Sequence, residues 1–179
     1  FVLRLKLMSS VSFFILSYGF ADRLVVPDHL NDWNVLQESD VWVGWIMKDD
    51  IQWCRAEKIL PFEMEHITHI IEDKKNYPII FKRIEDTVIL APDIVHISLD
   101  IPFPFSNRDY IVKYVSNKTD TENTFTFTAY DEIKVPERKN YVRLINAGGR
   151  WTVIPHGNGK TKVAYTWNGE LRGDFPDWA

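Results

Sequence analysis

Ile101-Pro-Phe-Pro-Phe-Ser-Asn-Arg-Asp-Tyr-Ile-Val-Lys-Tyr114 is the stretch on which the fold turns. Pro102 and Pro104 cannot donate to a central ladder, so the chain here leaves one strand and enters another. Arg108-Asp109 stands at the head of the new strand. Neighbouring strand residues point to opposite faces, so these two need separate partners. If Arg108 shares its face with Tyr110, Val112 and Tyr114, its guanidinium enters apolar surroundings. An unpaired cation is costly there and arginine cannot shed its proton. Two roles follow for Arg108: an ion pair locking the strand crossing, or a polar anchor inside an apolar cavity.

Outward from this stretch the apolar period is two. Val95, Ile97 and Leu99 alternate with His96, Ser98 and Asp100. Phe125 and Phe127 alternate with threonines, and Val163, Tyr165 and Trp167 alternate with Lys162, Ala164 and Thr166. Gly157-Asn158-Gly159 predicts a tight hairpin turn between Trp151–Ile154 and Thr161–Trp167. Upstream, Val41–Met47 and Ile51–Leu60 read as strands joined at Lys48-Asp49-Asp50. Pro61 suits the first position of a helix whose stripe is Phe62, Ile67, Ile70 and Ile71, and Asn76-Tyr77-Pro78 breaks that helix. Leu30, Trp33 and Leu36 sit at helix-like spacing and predict a short helix within Asp28–Glu38. The class is therefore α+β, a long, mostly antiparallel sheet with one helical insertion. Such a sheet has a wet face and a concave dry face that something must cover.

The 179 residues fit one domain, and 45% apolar with 26% charged residues excludes a disordered chain. Aromatics reach 14%, each a large apolar body to be buried or laid against a ligand. A net charge of −4 argues against nucleic acid as a partner. The single Cys54 excludes an intramolecular disulfide framework and a cysteine-based zinc site. Leu7–Ala21 is uncharged, preceded by Arg4 and Lys6, and shorter than the ~20 apolar residues of a membrane span. Residues 1–21 read as a secretory signal cut after Ala21, which makes the body, 22–179, exported to a periplasm or secreted; otherwise they are a buried element of a cytoplasmic protein.

Catalytic motifs are weak. Glu63-Met64-Glu65-His66 holds one Glu-x-x-His pair, and His66 and His69 are spaced for a metal without a third ligand, so an exposed helix face is expected. No nucleophile elbow, phosphate loop or zinc motif is present. Cys54 reads as a small core residue, Gly148-Gly149 as a bulge or close backbone approach, and Asn117-Lys118-Thr119 as a glycosylation acceptor that matters only in a eukaryotic secretory route. No catalytic residue, metal or cofactor is expected.

The segment Ile101–Val112 resembles the Pro-x-Pro-x-Ser-x-Arg-Asp core of START (StAR-related lipid-transfer) domains. Further pieces follow in that family's order: Tyr141-Val-Arg143, then Gly148-Gly-Arg-Trp151-Thr-Val-Ile-Pro155, then Lys160–Tyr165. Gly173-Asp-Phe-Pro176-Asp-Trp178 is similar to the approach to the family's last helix. The similarity spans about residues 41–179. It implies a helix-grip fold, a curved sheet around a long C-terminal helix with one lipid or sterol between them. The expectation is a domain cut short before that helix. The implied function is non-enzymatic binding and transfer of a hydrophobic ligand in an internal tunnel, by a monomer in transient contact with membranes. The family's cavity face carries Tyr110, Val112 and Tyr114. Alternation adds Ile97, Leu99, Phe125, Phe127, Val163, Tyr165 and Trp167, with Arg108 as a polar anchor. Related helix-grip proteins also include aromatase/cyclases, so an enzyme acting on a hydrophobic substrate stays open beside a non-transferring lipid sensor.

Overall fold

The structure, a computed structural model, describes residues 24–28 and 30–168. The expected signal segment 1–21 and the Gly173–Trp178 motif lie outside the described residues.

Ten strands form one sheet: β1 (Asn34–Glu38), β2 (Trp42–Lys48), β3 (Ile51–Leu60), β4 (Ile84–Ala91), β5 (Ile94–Leu99), β6 (Asn107–Lys118), β7 (Asn123–Ala129), β8 (Tyr141–Arg143), β9 (Gly148–Gly157) and β10 (Lys160–Asn168). Their order across the sheet is β1-β2-β3-β10-β9-β7-β6-β5-β4, and β8 pairs with the head of β6. Every pairing is antiparallel except β6–β8. Between β3 and β4 lie α1 (Met64–Glu72), a 3₁₀ turn at Lys74–Asn76 and the single turn α2 (Tyr77–Ile80).

Two hairpins have local causes. At β2–β3 both Asp49 and Asp50 take positive φ, 52° and 58°, the paired left-handed geometry of a two-residue turn whose twist matches the strands. At β9–β10, Gly157, Asn158 and Gly159 all have positive φ, which glycine and asparagine tolerate best. The register then places Tyr165 opposite Trp151 and Trp167 opposite Gly149.

Two expectations are corrected. The predicted helix within Asp28–Glu38 is instead a loop leading into edge strand β1, whose five residues are all exposed. Without a buried face, no alternation marks it as a strand, and its ladder to β2 slips between Val35 and Gln37. Helix α1 starts at Met64, after N-cap Glu63, and not at Pro61. Phe62 precedes the helix and is 48% exposed, because its carbonyl is held to the sheet by the Thr161 hydroxyl at 2.7 Å.

The core lies on the inner face of the sheet. Ile67 and Ile71 of α1, with Tyr77, pack on Val95, Val112, Tyr114, Phe125, Phe127, Val153 and Val163. Buried Thr68 accepts a bond from Asn123 Nδ2 at 2.9 Å, pinning α1 to β7. No helix among the described residues is long and apolar enough to cross a membrane.

The outer face was expected to be wet at His96 and Ser98, yet both are buried. The segment after β7 folds back over them. Arg138 donates to Ser98 Oγ at 2.8 Å, Tyr130 N–H to the Ile111 carbonyl, and β8 lies beside β6. Strands β5 and β6 are thereby covered on both faces.

Candidate functional site

Helix α1 covers only part of the inner face. Next to it remains a hollow of about 500 Å³, within the ~300–1,000 Å³ of small-ligand sites. Its wall is Gln52 and Cys54 of β3, Tyr77 and Phe81, Ile84, Ile97 and Leu99, Tyr110 and Tyr114, Phe127, then Leu144, Ala147, Gly148 and Trp151, and Tyr165, Trp167 and Asn168 of β10.

Three strands build the aromatic side in two rows. Cross-strand register sets Phe127, Gly149 and Trp167 in one row, and Phe125, Trp151 and Tyr165 in the next. Gly149 is the flat point between two rings: a Cβ there would lie 2.6 Å from Phe127 Cζ and collide with the Thr166 carbonyl. Trp151 and Tyr165 lie 4.2 Å apart at 30°, Tyr165 and Trp167 5.0 Å at 18°, and Phe127 and Tyr165 6.1 Å at 19°. Phe81 extends the group against Trp151, and Tyr77 meets Phe81 edge-on.

The polar groups of the wall are few and neutral. Tyr77 donates its hydroxyl to the Ile71 carbonyl at 2.6 Å and is hydrogen-bonded to the Tyr114 side chain. Asn168 is held at both its atoms, accepting from Gly148 N–H at 2.8 Å and donating to the Asn146 carbonyl at 2.6 Å. Burial pushes the phenols of Tyr77, Tyr110, Tyr114 and Tyr165 well above the ordinary tyrosine range, so all four stay protonated at neutral pH. Burial likewise raises the Cys54 thiol, against a smaller opposing effect of Gln52.

Of the residues expected at the site, Ile97, Leu99, Tyr110, Tyr114, Phe127, Tyr165 and Trp167 are on the wall. Val112, Phe125 and Val163 are not; they are buried in the core cluster that also holds Ile67 and Ile71. They share the strand face that alternation picks out, but α1 fills the space above that part of it. Arg108 is fully buried at the head of β6 and off the wall, its guanidinium donating to the Ser106 carbonyl. Asp109 faces the other way, bonded to Arg143 and His96, so the two do have separate partners. His66 and His69 stay exposed on α1, and the described residues contain no group of three or more potential metal ligands.

The sequence reading missed Trp151 and Cys54 as wall residues. Straight counting from the Gly157–Lys160 pair sets Thr152 opposite Tyr165, and only the register shift between Lys160 and Thr161 brings Trp151 there. Tyr77, Phe81 and Ala147 lie in irregular segments, where no period points at the hollow.

No family model matches the chain. One curated relative, an uncharacterized protein of Pseudomonas aeruginosa, is 30% identical over 80 residues, which is 45% of this chain and 40% of that protein. Solved structures are similar over much more of the length. A STAR-related lipid transfer protein from Xanthomonas axonopodis superposes with a TM-score of 0.71 at 19% identity, covering 83% of this chain and 87% of that one. Human STARD10 gives 0.72 at 16% identity, covering 88% and 74%. Human StAR-related lipid transfer protein 5 gives 0.64 at 14% identity, covering 81% and 75%. A ten-stranded antiparallel sheet with a short helical insertion over a hollow inner face is thus the START, or helix-grip, fold, and this chain has it.

Proposed function

We propose that the chain binds one hydrophobic molecule in the hollow and carries it between membranes without chemical change. The observation that supports this best is the wall itself: aromatic, aliphatic and uncharged, around about 500 Å³ on the inner face of the sheet. Moving apolar surface from water into such a space releases about 25 cal/mol per Å². The lipid-transfer names of the solved structures with this fold agree with the reading. Binding without catalysis is supported by the donor set. Among the described residues the wall offers no carboxylate, imidazole or ammonium, and its phenols are held protonated, so an acid–base pair tuned to neutral pH is lacking. Phe103 and Ile79, 95% and 84% exposed, suit transient contact with a bilayer.

The test is native mass spectrometry of the gently extracted protein beside an Ala147→Trp variant. A co-purifying lipid-sized mass is expected in the parent and absent from the variant, whose added ring fills the hollow. Vesicle-to-vesicle transfer of that molecule should follow the same pattern. An empty parent that also fails to take up any apolar probe overturns the reading, and turnover of a cyclisable substrate would replace it with an enzyme.

A further inference from the structure

We infer that the ligand is uncharged at its buried end and places one acceptor oxygen against the hydroxyls of Tyr110 and Tyr165. The inference rests on the carrier reading and narrows it to a chemical class.

Four phenols border the hollow, close enough that ionising one hinders the next. Two of them are spoken for, because Tyr77 holds the Ile71 carbonyl and Tyr114 is bonded to Tyr77. Among the described residues, Tyr110 and Tyr165 have no hydrogen-bond partner. No fully buried side-chain polar atom among the described residues lacks a partner, so these two hydroxyls owe their freedom to the hollow they border. Held protonated and set in apolar walls, they offer donors.

Charge is what the wall excludes. None of the described residues lining it is ionised at neutral pH, and the nearby cations already have partners of their own. Arg108 donates to the Ser106 carbonyl, and Lys74 lies 4.4 Å over the Tyr114 ring, within reach of Glu72 and Lys118. A carboxylate or phosphate entering the hollow would lose its hydration for two neutral hydrogen bonds, which do not repay it. Aromatic rings often invite a cation to their faces. Here Tyr165 is stacked on Trp167 at 18° and packs against Trp151 at a 30° tilt, so these rings are taken up by one another. An apolar body ending in an alcohol, ketone or ester satisfies both phenols and requires no buried charge.

The probes are octadecene, oleyl alcohol, methyl oleate, oleate and oleyltrimethylammonium, one chain length with five ends, titrated against the protein's total indole emission, to which the wall residues Trp151 and Trp167 contribute. At pH 8 the alcohol and ester should bind on the order of tenfold tighter than oleate or the ammonium probe. Oleate should gain on the ester as the pH falls toward 5 and it becomes the neutral acid. Tyr110→Phe and Tyr165→Phe should each weaken the ester about three- to tenfold while leaving octadecene unchanged, which also reports that the variant is folded. Oleate or the ammonium probe matching the alcohol at pH 8 overturns the inference and leaves the carrier reading standing. So does an ester affinity untouched by both substitutions. If none of the five binds, the carrier reading fails and takes this inference with it.

Discussion

Arg143 grips Asp109 with two edges of its guanidinium, Nε donating to Oδ1 at 2.8 Å and Nη2 to Oδ2 at 2.7 Å. The pair sits where β8 runs parallel to β6, and the carboxylate is 1% exposed. His96 Nε2 approaches Oδ2 from β5 at 2.7 Å, and since an ionised carboxylate only accepts, that nitrogen carries the hydrogen. Two extended strands and a three-residue one are tied at a single buried anion.

Breaking this tie from one side leaves a charge without its partner. Arg143→Ala should lower unfolding stability by about 3 kcal/mol, the loss typical of a buried pair with one member removed. Urea denaturation measures it. A change under about 1 kcal/mol would mean that Arg143 acts as a surface residue.

The same anion sets an acid limit. Burial alone would raise the Asp109 carboxyl, but the bonds from Arg143 and His96 outweigh it and hold it below the ordinary value. A carboxyl lowered by folding contributes stability above its unfolded value of about 3.9, and that contribution is lost as pH falls through the folded value. The stability gap between the parent and Asp109→Asn should therefore be constant above about pH 5 and close below pH 4. A gap that stays flat down to pH 2.5 would contradict the assignment.

At the alkaline end the sign reverses. Tyr77, Tyr110, Tyr114 and Tyr165 are raised by burial, so folding favours their protonated forms. Their contribution is complete below the unfolded value of about 10 and is lost as the pH rises beyond it. Absorbance titration should show these four ionising only as the protein unfolds. Seven tyrosines titrating together near pH 10 in folded protein would exclude a shielded wall.

Gly149→Ala tests the flat point in the wall. The added methyl meets the Phe127 ring and the Thr166 carbonyl, one of them backbone that cannot step aside. A destabilisation of about 1–3 kcal/mol is expected from overpacking, with weaker uptake of apolar probes as Phe127 is pushed from its place. Thermal unfolding and probe titration read the two effects separately.

Much of this architecture is legible in the residues because alternation is a local signal. β5, β7 and β10 announce themselves, and Gly157-Asn158-Gly159 marks the hairpin that carries Trp151 and Tyr165, although a register shift after Lys160 sets their pairing. β1 is illegible for the converse reason: its five residues are exposed, so nothing alternates. Separate partners for Arg108 and Asp109 follow from strand geometry, but Arg143 as one of them does not, since it lies 34 positions along the chain and β8 is too short to show a period. The division between wall and core was equally hidden. Val112 and Tyr114 share a face, and only the position of α1 decides that one lies under a helix and the other beside a space.

The ladder runs from β1 to β4 without those two edges joining. A closed barrel has its girth dictated by strand number and stagger, and can be widened only by breaking pairs or adding them. This sheet encloses room by bending alone. Strand number and stagger therefore set no fixed girth on its hollow, as they would in a barrel.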